Sequence, residues 1–81
     1  MDQKLSRNNS LGKHLKALRL NAGFGVTELA RYMQLSGCDT TRECLVKIES
    51  GSHNLSMEQL FALKEALNVS YDEIFEFLEE E

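Results

Sequence analysis

Three short signals for the start of a helix constrain this chain more than any other feature. Each is a Ser or Thr followed three residues later by Glu or Gln, the spacing of a capping box. In a capping box the hydroxyl accepts a hydrogen bond from the first turn, and the second side chain reaches back to the backbone of the cap. The pairs are Thr40 with Glu43, Ser56 with Gln59, and Ser70 with Glu73. The sequence therefore predicts short helices over about 41 to 50, 57 to 67 and 71 to 79.

Two further helices are predicted in the first half of the chain. Ser10 is a suitable N-cap for a helix over 11 to 21, whose leucines repeat at spacings of four and three. A second helix is predicted over 26 to 34 from Val26, Leu29, Ala30 and Met33, which are at helical spacing. We therefore expect an all-α fold of five short helices, with a single domain over 10 to 81. The polar segment 1 to 9 has no apolar periodicity and is predicted to be a flexible arm, either frayed or reaching a binding partner.

The helix predicted over 41 to 50 has a thin apolar edge and a polar outer face. Leu45 and Ile48 are three residues apart on one side, whereas Arg42, Glu43, Val46 and Lys47 point elsewhere. Gly51 is suited to end the helix. This pattern is typical of a helix that is held on a scaffold by one edge and contacts a partner with the other.

Composition and charge exclude several classes of function. The chain has 81 residues and a net charge of −4. Its first 50 residues carry a net charge of +3 and the rest −7, so a basic surface for phosphate is compatible with an acidic total. There is no Gly-rich phosphate loop and no recognisable catalytic pattern, and the core is too small for a deep pocket. We expect a protein that is not an enzyme and has no cofactor.

Metal binding and membrane insertion are not expected either. Cys38 and Cys44 are the only cysteines, and their spacing is not that of a structural zinc site. Two reduced thiols are the favoured interpretation, although folding could bring His14 and His53 to them. No apolar run approaches the roughly 18 residues of a membrane span. The N-terminal segment also lacks the apolar core of a signal peptide, so we expect a cytoplasmic protein.

Several short motifs along the chain are similar to those of a known family. In chain order they are Leu11-Gly12, Leu18-Arg19, Gly23-Phe24, Glu28-Leu29-Ala30, Ile48-Glu49-x-Gly51 and Leu67-Asn68-Val69-Ser70-x-Asp72-Glu73-Ile74-Phe75. Their order and spacing resemble the helix-turn-helix domain of Cro and lambda repressor, the Xre-like regulators. This resemblance implies a cytoplasmic, sequence-specific transcriptional regulator that binds double-stranded DNA as a homodimer.

The resemblance also implies roles for individual residues. The predicted helix over 41 to 50 becomes the recognition helix, and the base-contacting positions fall on Thr41, Arg42, Glu43 and Lys47. The phosphate-contacting positions are Val26, Thr27, Ser52, His53 and Asn54. A structural ion pair is implied between Arg19 and Glu49.

Three points remain open in this assignment. The turn at 35 to 40 is longer than the three- or four-residue turn of a tight helix-turn-helix, which affects the placement of the recognition helix. Val26 occupies a position where the family often has Gln. Glu43 has two interpretations of equal standing, as an acceptor for cytosine or as a capping residue that repels phosphate.

The alternative function is a protein-interaction module, antitoxin-like or an adaptor, that holds a protein partner with its acidic and aromatic C-terminal helix. Phe75, Phe77 and Leu78 are the candidate dimer contacts on this helix, because it carries more aromatic surface than is needed to cover a small core. Core packing is the favoured use of Ile74 and Leu78.

Overall fold

The computed structural model describes the backbone of residues 2 to 76 and the side chains of residues 11 to 76, and it confirms an all-α fold. The helices are α1 Asp2–Asn21, α2 Val26–Leu35, α3 Arg42–Glu49, α4 Met57–Leu67 and α5 Tyr71–Ile74. A short 3₁₀ turn at residues 75 and 76 follows α5. Across residues 2 to 76, no helix is both long and apolar enough to cross a membrane.

Two of the predicted capping boxes are present. At the start of α4, the Gln59 backbone N–H donates to the Ser56 hydroxyl and the Ser56 N–H donates to the Gln59 side chain, both at 3.0 Å. At the start of α5, the corresponding bonds between Ser70 and Glu73 are 3.1 and 2.8 Å. Asn68 ends α4 in the left-handed conformation with φ of 57°. These boundaries are local in origin, which is why the sequence predicted them.

The prediction for the cap of α3 was wrong by one residue. Thr41, not Thr40, is the N-cap, and its hydroxyl accepts from the Cys44 backbone N–H at 3.1 Å. Thr40 is 1% exposed and is committed to the core instead. Glu43 is therefore the second residue of the helix, and the predicted capping box does not form. Two adjacent threonines both fit the sequence pattern, and tertiary packing decides between them.

The first helix also begins earlier than predicted. Its backbone is helical from Asp2, so residues 2 to 9, predicted as a flexible arm, belong to α1, and Ser10 lies inside the helix instead of capping it. The segment before Ser10 contains neither Gly nor Pro. Because extending a helix is easier than starting one, a nucleus at 11 to 21 propagates through such a segment.

The core lies where α1 and α2 both pack on α3. In addition, α2 packs on α4, and α1 packs on α5. The largest fully buried side chains come from four of the helices and from the segment before α3, and they are Leu29, Met33, Thr40, Leu45, Leu63 and Ile74. At the contact with α5, the His14 ring Nε2–H donates to the Glu73 carbonyl at 2.6 Å.

Backbone contact between α1 and α3 depends on Gly12. A Cβ built at this position would lie 2.6 Å from the Ile48 carbonyl oxygen and 2.5 Å from that of Glu49. These atoms belong to the backbone at the C-terminal end of α3 and cannot move aside as a flexible side chain can. Gly12 therefore sets how closely α1 approaches α3.

We predict that Gly12→Ala destabilises the protein. Alanine gains about 1 kcal/mol of helix propensity over glycine, but forcing a methyl group against packed atoms costs about 1 to 3 kcal/mol. Because the contacts at 2.5 and 2.6 Å are with backbone atoms, the cost falls in the upper part of this range, and the expected result is a net loss of about 1 to 2 kcal/mol, measured by urea unfolding. Lys13→Ala, at the adjacent exposed position of the same helix, is the matched control and should change stability by less than about 0.5 kcal/mol. Equal or higher stability of Gly12→Ala would contradict the close approach.

Candidate nucleic-acid interface

The outer face of α3 has the composition that the sequence predicted. Leu45 and Ile48 are buried, while Arg42, Glu43, Val46 and Lys47 are exposed. We call these four residues, with Thr41 at the N-cap, the outer face of α3. The side chains of Thr41, Arg42, Glu43 and Lys47 were the predicted base contacts, and all four are exposed on one short helix and its cap.

The charges on this face are not paired with each other. Glu43 and Lys47 are four residues apart, a spacing at which side chains on a helix can meet. Within the described part of the chain, the Arg19–Glu49 pair is the only ion pair, and the Glu43 carboxylate makes no hydrogen bond to the cap of its helix. Both side chains are therefore available to a ligand.

An ion pair fixes the C-terminal end of α3. The Arg19 guanidinium on α1 donates to both carboxylate oxygens of Glu49, from Nε at 2.7 Å and from Nη2 at 3.1 Å. Its remaining Nη1 donates to the Phe24 carbonyl at 2.9 Å. The hydrogen bond to Glu49 raises the pKa of Arg19 above its ordinary value, and the carboxylate charge adds to this effect, while burial opposes it. The pair therefore joins α1, the turn after it and α3.

The long turn before α3 is folded against α2. The backbone N–H of Cys38 donates to the Met33 carbonyl at 2.9 Å, and the Gln34 side chain donates to the Thr40 carbonyl at 2.8 Å. Both Cys38 and Thr40 are buried. The additional residues are thus used in packing, and they hold the N-terminal end of α3.

A side chain from α4 completes this N-terminal attachment. Gln59 Nε2 lies 3.4 Å from both the Thr40 hydroxyl and the Cys44 sulfur. The Cys38 sulfur lies 3.3 Å from the same Thr40 hydroxyl. Both cysteines are free thiols, and no three potential metal ligands cluster among the residues that the structure describes. The arrangement is a hydrogen-bonded core cluster that positions α3.

The start of α2 lies beside the outer face of α3. Val26 lines a groove with Lys16 of α1 and with Val46 and Ser50 at the end of α3. Thr27, the next predicted phosphate contact, is exposed. The Glu28 carboxylate accepts from the Gly25 N–H at 2.8 Å, so that N–H is already occupied. The first N–H groups inside α2, at Val26 and Thr27, have no partner within the helix, as at any helix start.

The predicted phosphate contacts after α3 differ in their local roles. Ser52 caps α3, because its backbone N–H and hydroxyl donate to the Lys47 carbonyl at 3.0 and 3.3 Å. His53 and Asn54 are exposed in the loop that follows. The structure thus places all three beyond the C-terminal end of α3, with the Ser52 hydroxyl already engaged.

Two residues on or beside the outer face of α3 were missing from the predicted site. Val46 is 43% exposed on the outer face of α3, and its position followed from the spacing that assigned Leu45 and Ile48 to the core. Lys16 is an exposed cation in the groove beside Val26 and Val46. Only the packing of α1 against α3 places Lys16 there, so no local sequence signal identifies it.

The candidate dimer contacts are only partly within the described chain. Phe75 is exposed at the end of α5, and Tyr71, one turn earlier, is also exposed. Phe77 and Leu78 lie outside the described residues. The Lys64 ammonium group sits 5.2 Å from the centre of the Tyr71 ring. An aromatic surface is therefore present beside α5.

Comparison with known proteins gives this chain no family assignment. No protein-family model matches it, and no curated protein sequence matches it.

We predict that Glu49→Ala destabilises the protein by about 2 to 4 kcal/mol, because it leaves the Arg19 guanidinium largely buried with only the Phe24 carbonyl as partner. Urea unfolding measures the loss. Glu43→Ala, which removes an exposed carboxylate from the same helix, is the control and should cost less than about 1 kcal/mol. Equal losses in the two variants would show that the ion pair does not hold α3.

The same pair gives a prediction for Arg19→Lys. A lysine keeps the positive charge but cannot donate to two carboxylate oxygens and a carbonyl in one plane. We expect Arg19→Lys to lose at least half of the stability that Glu49→Ala loses, in the same assay. The raised pKa of Arg19 places its loss of charge in strongly alkaline solution, so the comparison at neutral pH concerns geometry and not protonation. Wild-type stability of Arg19→Lys would mean that charge alone is sufficient.

Proposed function

We propose that this protein is a cytoplasmic, sequence-specific DNA-binding regulator of transcription that inserts α3 into the major groove. The proposal rests on how α3 is attached to the rest of the fold. Both of its ends are fixed to the scaffold, through Glu49 at one end and the turn at 36 to 41 at the other. Its exposed side chains are left without a structural role, and an α-helix fits the width of the major groove.

The outer face of α3 carries groups that read base edges. Arg42 and Lys47 supply donors for guanine O6 and N7, and Glu43 supplies an acceptor for the cytosine N4 amine. Val46 adds an apolar contact for a thymine methyl group, and Thr41 lies at the edge of this surface. For Glu43, the lack of a capping bond favours the role in base recognition over the role as a cap.

Phosphate contacts come from both sides of α3. Val26 and Thr27 offer the N-terminal N–H groups of α2, where the helix dipole favours an anion, and Lys16 adds a positive charge nearby. His53 and Asn54 provide exposed polar groups beyond the other end of α3. The net charge of +3 in residues 1 to 50 supports the same orientation.

A homodimer is the second part of the proposal. Regulators of this architecture read two half-sites about one helical turn apart, which requires two copies of the recognition helix. The exposed Phe75, with Phe77 and Leu78 after it in the chain, offers an apolar contact for a second copy.

The aromatic surface at α5 also favours a second candidate function. Tyr71 and Phe75 expose apolar area next to acidic side chains, as expected of an antitoxin-like or adaptor module that holds a protein partner. The two candidates differ in their response to salt. Binding to DNA falls steeply with ionic strength because phosphate contacts release counterions, whereas an apolar protein contact does not.

The test of the proposal is selection of binding sites from randomised DNA with the purified chain at low and moderate salt. We expect an inverted repeat with half-sites about one helical turn apart, bound less tightly as salt increases. Failure to enrich any sequence at low salt would favour the protein-interaction module. Enrichment of a single half-site would retain DNA recognition and exclude the dimer.

We predict that Arg42→Ala relaxes the preference at one or two base pairs, costing about 1 to 3 kcal/mol against the selected site and much less against unrelated DNA. Repeating the selection with the variant measures this change. Lys64→Ala removes one positive charge from α4 and is the control; it should leave the base preference unchanged. An unaltered binding profile for Arg42→Ala would show that the outer face of α3 does not read the bases.

A further inference from the structure

A second concave surface lies between the turn after α2 and the edge of α4. Ser36 and Gly37 form one wall, Phe61 and Ala62 form the other, and the buried Cys38 contributes to the lining. Glu58 and Glu65 complete the lining. We call this surface the α4 groove. It shares no residue with the outer face of α3.

The size of the α4 groove favours a side chain over a small-molecule ligand. Its volume is about 200 Å³. Pockets for drug-sized ligands or cofactors span roughly 300 to 1,000 Å³. A groove below that range accommodates one large apolar side chain from another polypeptide.

The helix that forms one wall of the α4 groove exposes apolar side chains. Phe61 is 54% exposed although it lines the groove, and Met57, one turn earlier on α4, is 79% exposed. A half-exposed aromatic side chain in a concave surface is typical of a protein interaction site.

The charges of the α4 groove define the partner. Glu58 and Glu65 precede and follow Phe61 by three and four residues, so all three lie along one side of α4. Neither carboxylate is in an ion pair within the described chain, and no Lys or Arg is among the described residues that line the groove. Two unpaired carboxylates on either side of an apolar contact attract a segment in which Lys or Arg flank an apolar residue.

We propose that the α4 groove binds a basic, apolar segment of another protein, with an aliphatic or aromatic side chain against Phe61 and cations at Glu58 and Glu65. A nucleic acid is repelled by these carboxylates. A symmetric contact between the α4 grooves of two copies is also disfavoured, because residues 51 to 81, which contain α4, carry a net charge of −7. This inference does not depend on the proposed binding of DNA.

The first experiment is selection from a displayed library of random peptides against the full chain. Peptides of about 12 residues are long enough to reach between Glu58 and Glu65, which are about 10 Å apart along α4. We expect enriched peptides to contain one large apolar residue with Lys or Arg on both sides. No enrichment, or enrichment of acidic or uncharged peptides, would overturn the proposal.

Three variants then locate the binding of a synthetic enriched peptide, measured by calorimetry. We expect Phe61→Ser to weaken it at least about tenfold, as for the central side chain of an interface, and Glu65→Gln about threefold. Glu76→Gln, which removes an exposed carboxylate outside the groove, is the control and should leave the affinity unchanged. Circular dichroism verifies that each variant is folded.

Glu65→Gln keeps the test decisive if Phe61→Ser fails to fold. An equal loss of affinity in Glu65→Gln and Glu76→Gln would show that the peptide recognises acidity in general. Unchanged affinity in both would show that Glu65 does not contact the peptide, and either result contradicts the proposal. Sedimentation of the chain without peptide then measures whether it self-associates. If the chain self-associates and Phe61→Ser abolishes that association, the occupant is a second copy and the proposal is wrong.

Discussion

One guanidinium group connects the elements on which this small fold depends. Arg19 donates to both oxygens of Glu49 and to the Phe24 carbonyl, and so joins α1, the turn that follows it and the end of α3. Burying such a pair contributes little net stability, because desolvation offsets much of the attraction. Its effect is instead to penalise every arrangement in which α3 is displaced and a buried charge is left without its partner.

The length of α3 explains why this constraint is needed. With eight residues, α3 is shorter than the roughly 12 to 15 residues at which isolated helices become even marginally stable in water. Its helical structure therefore depends on the scaffold, through Gly12, through the ion pair and through the core cluster around Thr40. Because these contacts use one edge and the two ends, the exposed residues within the helix are free to vary in sequence without loss of the fold; they are Arg42, Glu43, Val46 and Lys47.

How much could be predicted from the sequence depended on the range of the interaction. The caps at Ser56 and Ser70 and the end of α4 at Leu67 are local and were predicted at the correct residues. The choice of Thr41 over Thr40 as the N-cap of α3 was not predicted, because it depends on the contact of Thr40 with Gln59, which is distant in sequence. In the candidate site, the spacing of Leu45 and Ile48 assigned the outer face of α3. The position of Lys16 depends on how two helices pack, and no pattern within α1 contains that information.

The basic first half and the acidic second half of the chain form two different surfaces of the fold. The outer face of α3 carries two cations and one carboxylate, whereas the α4 groove is lined by two carboxylates and no described cation. On a domain this small, the field of the whole molecule acts on any approaching polyanion. In the proposed complex with DNA, the carboxylates of the acidic half repel phosphate and so orient the domain with α3 toward the duplex. The same carboxylates favour a basic segment in the proposed use of the α4 groove. Because the two surfaces share no residue, occupation of one leaves the contacts of the other intact.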